Sequence, residues 1–395
     1  MSLASATYVE PPRLRTQWLV AILGLAMLLS GALGLGTVSW RHGVLFMVGG
    51  LLGMSLYHAA FGFTSAYRNA IVRRDVSGVV AQIVMLGLAM LLFAPILAQG
   101  QVFGRGVVGA VAPAGVTVAV GSFLFGLGMQ LGGGCGSGTL YTVGGGSTRM
   151  LVTLAAFCAG GFLGSLNMGR WAATPSFGNV SLAHELGWGA ALALQLGVLL
   201  ILWLGVRYWA RGNRQRPLWG EGLTWHKLLT GPWPLLLSAG LLAGLNWLTL
   251  LIAGHPWTIT WAFTLWGAKA AAAFGWDPQS SMFWTGGFPE AALGRSVFQD
   301  VTSIMDIGIV LGALAAAGLA GRFAPTLRLP RRLLLAALLG GLLMGYGARL
   351  AFGCNIGAFF SGVASTSLHG WLWILCALPG TWVGVRLRPL FGLDN

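Results

Sequence analysis

Ten stretches of the chain, each about 20 residues long, are almost unbroken in apolar side chains: near 17–38, 43–62, 77–98, 112–131, 149–168, 187–206, 233–253, 301–320, 332–352 and 369–387. An α-helix rises about 1.5 Å per residue, so each stretch matches a hydrocarbon core about 30 Å thick. The pattern predicts ten membrane-spanning helices. Four further segments are too short or too glycine-rich to cross: about 63–73, 135–147, part of 256–299, and 354–367. Such backbone lies at membrane depth only where protein covers it or a wet cavity receives it. Short re-entrant helices or loops are therefore expected there.

Composition fixes the class. The 395 residues are 56% hydrophobic and 8% charged, whereas a soluble domain carries about a quarter charged residues. The expected fold is an all-α polytopic membrane protein forming a single transmembrane domain over 1–395. The first 16 residues, MSLASATYVEPPRLRT, are polar and include Glu10, Arg13 and Arg15. The apolar run after them lacks a small-residue cleavage site and reads as a retained span.

Charge then orients the spans. With a cytoplasmic N-terminus, 17 basic residues from Arg13 to Arg388, Arg328 among them, fall in inside loops, against Arg41, Arg105 and Arg170 outside. Under the positive-inside rule both termini are expected in the cytoplasm, with the protein in the bacterial inner (plasma) membrane. The net charge of +14 is then a consequence of topology, and nucleic acid is not an expected partner.

One glycine-rich stretch occurs twice. Residues 126–138 read GLGMQLGGGCGSG and residues 345–357 read GYGARLAFGCNIG, an offset of 219 residues that aligns Cys135 with Cys354. Gly121 and Leu124 align with Gly340 and Leu343, and Cys158 and Cys376 follow 23 and 22 residues after the paired cysteines. The charge pattern sends the span before Cys135 inward and the span before Cys354 outward. This is the sign of an inverted internal repeat, a plan that places a transport site near the midplane. The expected divisions are an extra span at 17–38, repeat 1 at 43–168, a connecting span at 187–206, a cytoplasmic loop at 207–232 and repeat 2 at 233–387.

The candidate chemistry sits in the repeated stretch. Short helices over roughly 137–145 and 355–364 would aim unpaired N–H groups and positive dipole ends at one point, an arrangement suited to an anion. Gly134, Gly136, Gly138, Gly353 and Gly357, with Asn355, let backbone approach a solute closely. Cys135 and Cys354 add a soft, weakly hydrogen-bonding surface suited to sulfur or selenium. Arg349 and Lys269 are charges at membrane depth and join the candidate pathway. Cys158, Cys376 and His58 form a second tier.

Each has a plainer reading. A cysteine is often a small buried hydrophobe, a lysine or arginine can reach an interface, and His58 suits a hydrogen-bonded packing role. Asp306 is the sole acid of its span, and most of the 18 tryptophans are expected as interface anchors. The four cysteines form no CxxC and no zinc-type cluster with histidine, so no metal and no cofactor is expected.

The paired G-x-G-x-x-L-x-x-G-C-x-x-G motifs, HAAFGFTSAYR at 58–68 and HPWTITWAFTLWGAK at 255–269 resemble the YeeE/YedE family of sulfur-compound transporters over about 43–387. The resemblance implies an hourglass-like inverted repeat whose four loops dip to the membrane centre. It also implies loop cysteines, here Cys135 and Cys354, that pass a sulfur anion along by weak S–H hydrogen bonds. The sequence departs at Phe61-Gly62-Phe63, where thiosulfate-type members carry a cysteine and Gly62 stands instead. The expected function is a non-enzymatic permease for a small sulfur-containing anion, thiosulfate or a related sulfur or selenium species. A membrane thiol enzyme handling sulfane sulfur and a thiol-independent small-anion channel are the alternatives. The resemblance also suggests a cytoplasmic sulfur-carrier protein as partner.

Overall fold

The computed structural model describes residues 15–220, 224–326 and 329–395. Glu10, Arg13 and Arg328 lie outside the described residues. Helix α1 (Trp18–Val38) breaks only at Ser39 before α2 (Trp40–Ala59), and the short α3 (Phe63–Arg73) leads to α4 (Ser77–Gln99). A small hairpin, β1 (Gln101–Val102) with β2 (Arg105–Gly106), and β3 (Pro113–Gly115) precede α5 (Val116–Gly132). Next come α6 (Gly136–Gly144), α7 (Thr148–Leu166), α8 (Met168–Ala172), β4 (Ser176–Asn179), α9 (Leu182–Leu186) and α10 (Trp188–Trp209). The remaining chain forms α11 (Trp225–Thr230), α12 (Leu235–Ala253), α13 (Thr260–Ala273), α14 (Gly287–Gly294), α15 (Val301–Leu319) and α16 (Arg331–Leu350). A π-helix, Asn355–Phe360, continues into α17 (Ser361–Ala364), and α18 (Leu368–Leu387) is the last long helix.

Ten helical stretches among the described residues are long and apolar enough to cross a membrane. The protein is an all-α polytopic membrane protein. Two boundaries differ from the hydropathy reading. The stretch expected at 43–62 stops at Ala59 because Ala60 takes a left-handed conformation (φ 47°) and turns the chain into α3. The stretch expected at 112–131 begins helically at Val116, because Pro113–Gly115 pairs as β3 with β4 instead. Hydropathy measures apolar length and is blind to a strand partner about 60 residues away.

The helices pack in crossed pairs: α2 on α15, α4 on α12, α5 on α18 and α7 on α16, with α5 and α16 also against each other. Lipid is as apolar as leucine, so tight helix pairs in a membrane depend on backbones that approach closely. The α2–α15 seam shows this. A Cβ added at Gly53 would collide with the Ile309 carbonyl, and one at Gly312 with the Gly50 carbonyl. By contrast α1 and α10 lie outside the bundle. Helix α1 buries only Ala21, Gly24 and Leu28, and α10 only Ala191, Gln195 and Leu199. Of the short helices, α6, α17 and the π-helix occupy the interior, and all six residues of the π-helix are buried.

Candidate functional site

The site is built where long helices stop and short ones start. Helix α5 ends at Gly132, and Gly133 (φ +94°) turns the chain back while its N–H bonds the Met129 carbonyl at 3.1 Å. That left-handed conformation is one a glycine adopts without steric cost. Cys135 follows as the N-cap of α6 (φ −82°, ψ −165°), and its carbonyl accepts the Thr139 N–H and the Thr139 hydroxyl, each at 2.8 Å. On the other side α16 ends at Leu350, the chain turns through Phe352 (φ 57°) and Gly353 (φ 149°), and Cys354 caps the π-helix (φ −103°, ψ −164°). The two cysteines thus hold the same backbone position, the last extended residue before a helix start. Both are enclosed, at 1% and 0% exposure.

Four helix starts meet at these thiols. Gly136, the first residue of α6, lies so close to the π-helix and α13 that a Cβ on it would stand 3.1 Å from Cys354 Sγ and 3.4 Å from Ile259 Cγ2. Ile259 is the N-cap of α13. The N–H of Phe63, the first residue of α3, faces Cys135 Sγ together with the N–H of Gly138. Cys354 Sγ accepts the Ile356 N–H at 3.4 Å, and Cys135 Sγ lies 3.5 Å from Ser137 Oγ. The first turns of α3, α6 and the π-helix therefore turn N–H groups and positive dipole ends toward the thiols, and the start of α13 packs beside them through Ile259.

Polar side chains complete the surroundings. Thr64 Oγ1, the Tyr67 hydroxyl and both amide atoms of Asn355 are buried, and none has a hydrogen-bond partner among the described residues. Asn355 and Tyr67 approach each other without their polar atoms completing a bond. An unsatisfied buried polar group costs about 1–3 kcal/mol, so such a cluster marks a place where a polar ligand recovers that cost. Gly62, the N-cap of α3, faces two hydroxyls: a Cβ there would stand 2.8 Å from Ser65 Oγ and 3.3 Å from the Tyr141 hydroxyl. A narrow cavity of about 30 Å³ runs from Gly62 and Ser65 past Asn69 to Arg216, whose guanidinium pairs with Asp75 at 3.7 Å.

The remaining sequence candidates are dispersed. Gly134, Gly138, Gly353 and Gly357 frame the two cysteines. A Cβ added at Gly138 would stand 3.5 Å from Cys135 Sγ, and Gly357 is packed on Thr258. Lys269 is elsewhere: its Nζ donates to the carbonyls of Leu293 (2.6 Å) and Arg295 (2.5 Å) and so holds the C-terminal end of α14. Arg349 turns its guanidinium onto the Phe283 ring, 4.9 Å from the centroid. His58 packs on Trp233 with centroids 5.1 Å apart, and neither ring nitrogen has a hydrogen-bond partner among the described residues, unlike the hydrogen-bonded role expected. Cys158 rests on α7 with its backbone carbonyl against Gly267, while Cys376 lines an apolar groove with Phe123 and Pro379. Asp306 is fully buried in α15 with neither oxygen hydrogen-bonded among the described residues.

Sequence reasoning does not single out Thr64, Tyr67, Ser137, Tyr141 or Ile259. Thr64 and Tyr67 fall inside HAAFGFTSAYR and Ile259 inside HPWTITWAFTLWGAK, so the two segments that carry the family resemblance hold the missing signal. Tyr141 has none, because its hydroxyl reaches Gly62 from a helix 79 positions later.

Comparison with known proteins bears on the chain as a whole. The family model described as Sulphur transport matches residues 58–383. The probable transporter YedE of Escherichia coli K12 is 35% identical over 164 residues, which is 40% of this chain and 39% of that protein. Its Salmonella typhimurium namesake is 34% identical over 172 residues, 42% of this chain and 41% of that protein. The match thus spans about two fifths of the length of these two relatives. The thiosulfate transporter TsuA of Spirochaeta thermophila is 29% identical over 361 residues, 85% of this chain and 96% of that protein. A family match that takes in both cysteine turns and all four short helices leaves one conclusion: the chain belongs to the Sulphur transport family.

Proposed function

We propose that the protein is a permease for a small sulfur-containing anion, thiosulfate or a related sulfur or selenium species, with its constriction at Cys135 and Cys354. The observation that carries this reading is the convergence of four helix starts on two buried thiols. Each N-terminus contributes about 0.3–1 kcal/mol toward an anion. The three that turn N–H groups to the thiols together supply about 1–3 kcal/mol, which corresponds to binding of roughly several millimolar or weaker. That is strong enough to draw an anion in and weak enough to let it go. The thiols donate weak hydrogen bonds to a sulfur or oxygen of the passing anion, and the polar atoms of Asn355, Tyr67 and Thr64 gain in that anion a partner that no described residue gives them.

The same reading takes 43–168 and 233–387 as two inverted copies. Support comes from the crossed packing, in which α2 meets α15 as α12 meets α4, and α5 meets α18 as α16 meets α7. Both termini are assigned to the cytoplasm of the inner membrane, on the weight of the arginine distribution. The relative TsuA, named as a thiosulfate transporter, supports thiosulfate as the first substrate to test.

The test is uptake of radiolabelled thiosulfate into proteoliposomes holding the full chain. Saturable uptake above protein-free liposomes, competed by unlabelled thiosulfate but not by chloride, is the expected result. Equal flux of chloride, insensitive to thiol alkylation, overturns the sulfur-selective reading.

A further inference from the structure

Two cavities lie end to end along the contact between α4 and the outlying span α10. The first, about 300 Å³, is at the polar end and is bounded by Val76 and Ser77 from the start of α4 and by Arg207, Arg211 and Arg216. The second, about 350 Å³, is an open groove with apolar walls: Ile83, Val84 and Gly87 on α4, Leu196, Leu200 and Trp203 on α10. The two helices run in opposite directions, so residues 76 to 87 on one and 211 to 196 on the other follow the same line from charge to grease. Eleven residues of helix span about 16 Å, close to the half-thickness of a hydrocarbon core about 30 Å deep.

The polar end is unsatisfied in one sign of charge. Arg216 pairs with Asp75, but Arg207 and Arg211 have no carboxylate partner among the described residues. They lie over their own helix's aromatic rings, Arg207 at 5.3 Å from the Trp203 centroid and Arg211 at 4.7 Å from that of Tyr208. The wall beside them is fixed: the Gln215 side chain accepts the Val76 N–H at 2.9 Å and donates to the Arg74 carbonyl at 2.9 Å. The groove is kept open by Gly87, where an added Cβ would already touch Leu196 Cδ2 at 3.8 Å and Leu199 Cδ1 at 3.9 Å. An acyl chain alone fits the groove; two unpaired guanidinium groups at its head select a phosphate that carries net charge.

We propose that the two cavities form one binding site for an anionic phospholipid, with its phosphate on Arg207 and Arg211 and one acyl chain in the α4–α10 groove. The lipid supplies packing that α10 lacks, since only three of its residues are buried by protein, and so holds the connecting span to the bundle. The site is separate from the cysteine centre: Arg216 alone also lines the cavity that leads to Gly62, and Arg207, Arg211 and the α4–α10 groove do not.

Native mass spectrometry of the full-length protein, titrated with phosphatidylglycerol, phosphatidylcholine and glycerol phosphate, tests it. Phosphatidylglycerol is expected to be retained in preference to phosphatidylcholine, and glycerol phosphate is expected not to displace it. Replacing both arginines (Arg207→Gln with Arg211→Gln) should weaken retention by roughly fivefold for each charge removed. Gly87→Leu, which fills the groove and leaves both arginines in place, should also lower retention. Equal retention of both lipids, displacement by glycerol phosphate, or wild-type retention in either variant overturns the proposal.

Discussion

The Cys135 side and the Cys354 side of the centre share a backbone plan and differ in what stands beside the thiol. Both cysteines are extended N-caps with nearly the same φ and ψ. Around Cys135 the neighbours are small or hydroxylated: Gly138, Ser137 Oγ at 3.5 Å, and Gly62 facing Ser65 and Tyr141. Cys354 Sγ has Gly136 against it. Ile259 caps α13 where Gly62 caps α3, and the helix that follows Cys354 opens as a π-helix with Asn355 buried at its first position. The difference assigns tasks. On the proposed reading, one side offers soft or hydroxylic contacts to an anion, and the other offers an amide with no hydrogen-bond partner among the described residues.

Filling the space between the two sides tests this contrast most severely. Gly136→Val puts branched carbon where even a Cβ would stand 3.1 Å from Cys354 Sγ. Uptake is expected to fall to the protein-free background while the variant still purifies as a monodisperse species; substantial flux would mean the path runs elsewhere. Next in size is removal of both thiols. A weak thiol hydrogen bond to an anion is worth about 1 kcal/mol, so Cys135→Ala with Cys354→Ala should cut the initial uptake rate by roughly fivefold for each thiol. Unchanged thiosulfate uptake would falsify the thiol role on both sides at once.

Asn355→Ala separates binding from folding, because the Asn355 amide makes no hydrogen bond among the described residues that the folded protein would lose. The expected result is uptake lower by roughly five- to tenfold at an unchanged thermal midpoint. A lower midpoint with normal uptake would make Asn355 structural. Gly62→Cys widens the contrast by adding a third thiol to the open side. Once Ser65 swings aside, preference for thiosulfate over sulfate in competition assays should rise by about threefold. The smallest effect on flux is expected at Lys269→Met. It removes the cation from the end of α14, so the thermal midpoint should drop by about 2–4 °C with uptake unaltered. Altered uptake at full stability would return Lys269 to the pathway.

Legibility in the sequence follows the range of the physics. Spans are readable because burial of apolar surface in lipid is nearly additive along a helix, so a local sum over about 20 residues suffices. Cys135 and Cys354 are readable because the motif around each repeats at a fixed offset. The roles of Lys269 and Arg349 are not, since a charged residue near the end of a helix can turn toward several neighbours. Packing alone directs the first to the α14 carbonyls and the second to Phe283.

The ten apolar helices, the four short segments and a cysteine at each of two equivalent turns are already written in the order of the residues. They follow from hydropathy, from glycine's conformational freedom and from direct repetition. Packing in three dimensions adds that four helix starts gather at the two thiols, that Gly62 and Ile259 cap two of them, and that Tyr67 and Asn355 find no hydrogen-bond partner among the described residues. Those are relations among distant segments, with Tyr67 and Asn355 standing 288 positions apart. They arise only when close-packed glycine seams fix which backbones touch.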